Sequence, residues 1–189
     1  MQQMDAYVLV KSALALFAIV DPVGVIPIFL LATRGFSTAQ SHAAARVAAL
    51  TVLGVLAVFI FVGEPMLAFF GIRLASFSVA GGLLLLLLAL AMVQAHVSPQ
   101  RQTQDEAAEA GERDAVGVVP LGVPLLAGPG AITHVIVAAS AARGQVLQQS
   151  LQLIPVVLVA LSVWLAFRAA PLIARRLGRT GIHVVTRLM

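Results

Sequence analysis

The stretch Val20-Asp21-Pro22-Val23-Gly24-Val25-Ile26-Pro27 interrupts an apolar run that extends from about Ala6 to Leu31. A helix crossing a bilayer needs roughly 20 mostly apolar residues. This run is long enough, yet it carries a carboxylate, two prolines and a glycine well inside it. A charged carboxylate at the bilayer centre costs about 2.5–3.5 kcal/mol on insertion scales, so such a group usually faces a partner or a cavity. Proline lacks a backbone donor and clashes with the preceding turn, but it is accepted at the first position of a helix. Asp is a favoured N-cap. Asp21-Pro22 therefore predicts a broken membrane helix, with a second half-helix starting there and Pro27 as a kink further along.

The composition agrees with a membrane setting. Of 189 residues, 60% are hydrophobic and 11% charged, and the mean hydropathy is +1.01. A soluble domain is roughly 45–50% apolar and 25% charged, so this chain lacks the residues to give each element a polar face. A soluble globular protein, a disordered chain and an ordinary nucleic-acid binder are excluded. The net charge is only +4, and the basic residues fall between apolar runs, where they read as topology signals. The chain has no cysteine, which excludes disulfides and thiolate ligands. Asp5 before the first run and Lys11 within it do not fit a cleaved signal peptide, so the run is read as a retained helix.

Four further apolar runs follow, at about Val47–Phe70, Leu74–Gln94, Val116–Ser140 and Val146–Leu172. Between the third and fourth lies one long polar segment, His96–Asp114, read as a solvated linker. With the N-terminus outside, nine basic residues fall in inner segments and three, Lys11, Arg73 and Arg143, in outer ones. The positive-inside rule favours that orientation, with Lys11 snorkelling outward.

The two halves around the linker are alike. Gly128-Pro129-Gly130-Ala131-Ile132 breaks the fourth run as Asp21-Pro22-Val23-Gly24 breaks the first. Three helices are an odd number, so the second half would enter from the opposite face, giving a three-plus-three inverted-topology repeat. The expected organisation is a first repeat over 1–95, a linker over 96–115 and a second repeat over 116–189. The step from Pro22 to Gly81, counted again from Pro129, lands on Leu188, so a sixth helix is expected to start at about the last residue and to be missing here. The expected fold is an all-α polytopic helix bundle with two discontinuous helices.

Irregular backbone at membrane depth is tolerated where it is buried in protein or lines a cavity. Half-helix N-termini carry partial positive charge and suit a carboxylate. Asp21 and unwound carbonyls suit a cation or an ammonium group. Thr133 follows the second break and could offer a hydroxyl. His134 could relay protons, although a lone histidine is more often structural. Ser76 and Ser78 are expected to bond back to their own helix. Gly81-Gly82 resembles a close helix contact, Glu64 a surface residue and Trp164 an interface anchor. There is no Walker glycine loop, His-Glu-x-x-His, Gly-x-Ser-x-Gly or metal-ligand cluster, so neither an enzyme nor a metal site is expected.

Asp21-Pro22-Val23-Gly24-Val25-Ile26-Pro27-Ile28-Phe29, Phe70-Gly71-Ile72, Gly81-Gly82 and the run Pro120 to Thr133 together resemble the MarC family of bacterial inner-membrane proteins. The resemblance covers nearly the whole chain; many members have Asn where Asp21 stands. It implies a sixth helix and a secondary transporter of small neutral amino acids such as glycine and alanine, coupled in some members to Na+ or H+, with no cofactor. In that reading the substrate-binding residues are Asp21, Pro22, Val23, Gly24, Val25, Gly128, Pro129, Gly130, Ala131 and Thr133. The partners are the amino acid and the lipid bilayer, with a homo-oligomer left open. A small-molecule or drug exporter and a non-transporting membrane scaffold are the alternatives.

Overall fold

The computed structural model of the chain describes residues 6–93, 126–141 and 146–188. Among them are helices α1 (Ala6–Val20), α2 (Ile26–Ala32), α3 (Thr38–Phe69), α4 (Leu74–Val93), α5 (Pro129–Ser140), α6 (Val146–Leu151) and α7 (Leu153–Leu188), and no strand. The linker 96–115 and the opening of the fourth run, 116–125, lie outside the described residues.

Two helical stretches, Thr38–Phe69 and Leu147–Leu172, are long and apolar enough to cross a membrane. The outer surface is apolar: Leu31, Leu50, Val79, Leu86, Leu147 and Leu165 are all exposed. A water-soluble domain of this size would not leave such a surface uncovered.

Helix α3 starts nine residues before the expected Val47. Ser37 and Gln40 form a capping box: Gln40 N–H donates to Ser37 Oγ at 3.3 Å, and Ser37 N–H donates to Gln40 Oε1 at 2.9 Å. This satisfies two orphan donors of the first turn. At about 1.5 Å per residue, the 32 residues of α3 span about 48 Å, well beyond the hydrocarbon thickness of about 30 Å. The polar first turns, with His42 and Arg46, take up the excess.

The first break is real, but its construction differs from expectation. Asp21 does not open the second half-helix. It sits in the left-handed region at φ 42°, which Asp tolerates better than most residues. Its Oδ1 accepts from Gly24 N–H at 3.0 Å and closes a turn over 21–25. Helix α2 begins at Ile26 with Val25 as N-cap, and Pro27 falls in its first turn rather than kinking it. There the missing N–H removes no helical bond.

The fifth run is also interrupted. Helix α6 ends at Leu151, α7 begins at Leu153, and Gln152 N–H bonds Gln149 O at 3.0 Å in the turn between them. Pro155 explains the interruption: it has no N–H, and its ring crowds the carbonyl four residues back, that of Leu151. Helix α7 then runs unbroken to Leu188. Residues 182–188 thus continue the fifth segment's helix and do not open a new one.

The core is built around α3 and α7, the most extensively packed pair. Ser41, Ala44, Ala45, Ala48, Ala49 and Val52 of α3 form a buried stripe of mostly small side chains, which lets backbones approach closely. Val156, Val159, Val163, Phe167 and Ala170 of α7 are buried at matching helical spacing. The short helices cross over: α2 packs on α7, while α5 packs on α3 and α4. Helix α1 lies against α7 and α5.

Candidate functional site

The two breaks meet in the core. A Cβ on Gly130 would lie 3.3 Å from Ile19 Cγ2 and 3.1 Å from Leu85 Cγ. The second break thus touches α1 two residues before Asp21, and also α4. Val20, Val25 and Ile26 from one break share a hydrophobic cluster with Leu126, Ala127 and Ala131 from the other.

The amides of the first break are largely consumed internally. Gly24 N–H bonds Asp21 Oδ1, Val25 N–H bonds Asp21 O at 3.3 Å, and Ile26 N–H bonds Val23 O at 3.1 Å. Pro22 is buried and has no N–H to give. Val23 is exposed, with its side chain turned outward.

The second break leaves its amides open. Gly128 is extended, at φ −68° and ψ 177°, and caps α5 without any side-chain bond. Pro129 has no N–H, and the first turn-closing bond runs from Ile132 N–H to Gly128 O at 3.1 Å. The N–H groups of Gly130 and Ala131 therefore have no helical acceptor, and both residues are buried. Oriented donors at a helix N-terminus favour an anion.

Thr133 lies in the same turn and is buried. Its hydroxyl donates to Pro129 O at 2.8 Å, so its lone pairs, not its proton, remain available. Gly81 of α4 packs directly on it: a Cβ there would lie 2.6 Å from Thr133 Oγ1 and 2.8 Å from its Cβ. Gly82, by contrast, is exposed and has nothing near it. Only one glycine of the expected pair makes a close contact.

Ser78 Oγ donates to Leu74 O at 2.8 Å, the back-bond expected of it. Trp164 is partly buried against the core, with the Arg168 guanidinium 5.1 Å from its ring centroid. It is a packed cation–π partner. Glu64 is half-buried and has an interaction partner of its own.

One polar group escapes a reading of local sequence. Ser12 Oγ lies 3.1 Å from His134 Nε2 and donates to Gln152 Oε1 at 3.3 Å. Ser12 and Gln152 are 8% and 3% exposed, so this bond chain ties α1, α5 and the α6–α7 turn together inside the bundle. The signal in the sequence was faint: one serine inside an apolar helix, and a glutamine in the turn that Pro155 imposes. An apolar groove between α1 and α7, lined by Leu9, Ala13, Ile154 and Leu158 among others, has no polar lining and cannot orient a zwitterion.

Comparison with known proteins agrees with a membrane setting. UPF0056 membrane protein YhcE of Escherichia coli is 38% identical over 98% of this chain and 86% of its own length. A UPF0056 membrane protein of Methanocaldococcus jannaschii is 34% identical over 98% of the chain and 90% of its own length. YvbG of Bacillus subtilis, of the same description, is 34% identical over 96% and 86%. No solved structure matches. The description MarC family integral membrane protein matches residues 6–189, and the chain, with its two apolar spans and paired helix breaks, belongs to that family.

Proposed function

We propose that this protein is a secondary transporter of small neutral amino acids, glycine and alanine, in the bacterial inner membrane, with its N-terminus outside. The observation that carries the reading is the uncapped N-terminus of α5, whose Gly130 and Ala131 amides are buried without acceptors beside the first break. These amides take the substrate carboxylate. Asp21 uses Oδ1 to hold its turn, and a carboxylate has about four acceptor sites. Oδ2 is left for the ammonium or the coupling ion. Thr133 Oγ adds an acceptor one turn along.

A site made of main chain and glycine suits a small zwitterion better than a bulky ligand. Among the described residues it has no aromatic cage or large apolar chamber for a drug. Helix α1, with 15 residues, spans about 22 Å, so the break after it falls within a bilayer core of about 30 Å.

The same reading gives the bundle an inverted repeat. Its support is the crossed packing, α2 on α7 and α5 on α3. Each short helix after a break rests on the long helix of the other half. Rocking of one half against the other would then open the breaks alternately to the two sides.

The test is uptake of labelled glycine and alanine by the purified protein in proteoliposomes, with sodium and pH gradients imposed separately. Saturable uptake that small amino acids compete, and that bulky apolar drugs do not, supports the reading. No uptake under either gradient by a folded protein removes it.

A further inference from the structure

The chain of bonds through Ser12, His134 and Gln152 has no part in the substrate contacts above. Its hydrogen count is restrictive. A serine hydroxyl has one hydrogen, and Gln Oε1 only accepts. Ser12 gives its hydrogen to Gln152, so at its other contact it accepts, and His134 Nε2 is the donor. That Nε2–H is present in both the neutral ring and the imidazolium. Protonation takes place at Nδ1, which makes no side-chain hydrogen bond among the described residues. The ring therefore gains or loses a proton without breaking the bonds that hold it. A histidine kept only as a strut has no need of an open nitrogen.

His134 stands four residues after Gly130, about 6 Å along α5. A positive charge there adds to the partial charge of the helix N-terminus. We propose that Ser12, His134 and Gln152 form a proton-binding site whose charge sets the affinity of the α5 N-terminus for a carboxylate. This rests on the reading of that N-terminus as the substrate site. Linkage makes the effect reciprocal: the carboxylate must favour the proton by the same factor.

Other titratable groups near α5 need separating from it. Helix α1 carries Tyr7 and Lys11, both exposed. Helix α3 carries His42 and Arg46 in its first turns, and Glu64 next to Gly63, which abuts α5 at Ile136. No titratable residue lies on α4 or α6; Arg73, exposed, precedes α4. Helix α7 carries Arg168, over Trp164, and beyond it further arginines and His183. Asp21 lies in the first break. Glu64, the acidic group on α3 closest in sequence to that contact, is therefore the control.

The experiment is histidine-labelled NMR of the whole protein in nanodiscs, with and without glycine, alongside glycine binding by calorimetry across pH. The chain has four histidines, and His134→Gln assigns the signal. The expected result is an Nε2–H neutral form whose titration midpoint rises with saturating glycine. Glycine affinity should fall at least about fivefold between about pH 5 and pH 8 in the wild type and in Glu64→Gln, and stay flat in His134→Gln. Ser12→Ala should admit the Nδ1–H form. The proposal is overturned by a His134 that does not titrate in that window, by a midpoint that bound glycine does not move, or by a pH dependence of glycine binding that survives His134→Gln or disappears in Glu64→Gln. If glycine binds at no pH, the substrate reading fails separately. Acetate then serves as the bare carboxylate: a midpoint it raises sustains the coupling, and one it leaves unmoved overturns the triad's role.

Discussion

Phe29 of α2 and Phe167 of α7 stack with ring centroids 4.3 Å apart and planes 15° from parallel, both almost fully buried. Counted from the proline of each break, Phe29 and Ile136 hold the same place, seven residues on, and Ile60 and Phe167 hold the same place, 38 residues on. Ile136 rests against Gly63, one turn beyond Ile60. The α2–α7 crossing closes with two aromatic rings, and the α3–α5 crossing with an isoleucine set against a glycine.

Truncating the stack should cost more than its hydrophobicity suggests, because lipid is as apolar as the core and only packing is lost or gained. Phe29→Ala or Phe167→Ala is expected to destabilise by about 3 kcal/mol, toward the low end for buried aromatics. The double mutant should lose about 0.5–1.5 kcal/mol less than the sum of the two. Reversible unfolding in mixed micelles measures both; strict additivity would mean the rings do not interact.

At the other crossing, the space is taken on the α3 side. A Cβ on Gly63 would lie 2.8 Å from Ile136 Cδ1. Gly63→Ala should destabilise by about 1–3 kcal/mol through overpacking. Ile136→Val should recover part of that loss in the double mutant, as read by the same unfolding assay.

Gly81 and Gly82 should part company. Gly81→Ala presses on Thr133, so it should lower stability by about 1–3 kcal/mol and impair glycine uptake. Gly82→Ala enters open space and should stay within about 0.5 kcal/mol of the parent. Equal effects at the two positions would contradict the packing of α4 on α5.

Asp21 joins two roles that substitution can separate. Asn accepts the Gly24 N–H as Asp does and also tolerates a positive φ, so Asp21→Asn should fold with parent stability. Without the charge it should bind glycine about tenfold more weakly, the loss of a charge-assisted bond in favour of a neutral one. Asp21→Ala should lose the turn as well, at about 1 kcal/mol. Calorimetric binding beside thermal unfolding distinguishes the two effects.

The absence of cysteine makes topology directly measurable. With the N-terminus outside, a single cysteine in place of Ser37, ahead of α3, should be labelled by impermeant maleimide only from the cytoplasmic side. One in place of Arg73, ahead of α4, should be labelled only from outside. The reverse pattern would overturn the orientation read from the basic residues.

Local chemistry in the sequence determined much of this protein. The apolar runs specify helices; Leu74 and the end of α4 fall where the run begins and ends, and Pro and Gly mark both breaks because they alter the backbone whatever surrounds them. Ser37-x-x-Gln40 and Pro155 carried the start of α3 and the turn at Gln152 equally plainly, as capping and steric signals outside hydropathy. Tertiary structure alone decided that α2 crosses to α7 and α5 to α3, that Gly81 and not Gly82 meets Thr133, and that Ser12 finds His134 and Gln152. In a soluble helix the buried face announces itself by contrast with a polar one. Here the faces toward lipid and toward protein are both apolar, so side-chain periodicity cannot say which residues meet, and partner choice emerges only when distant helices pack.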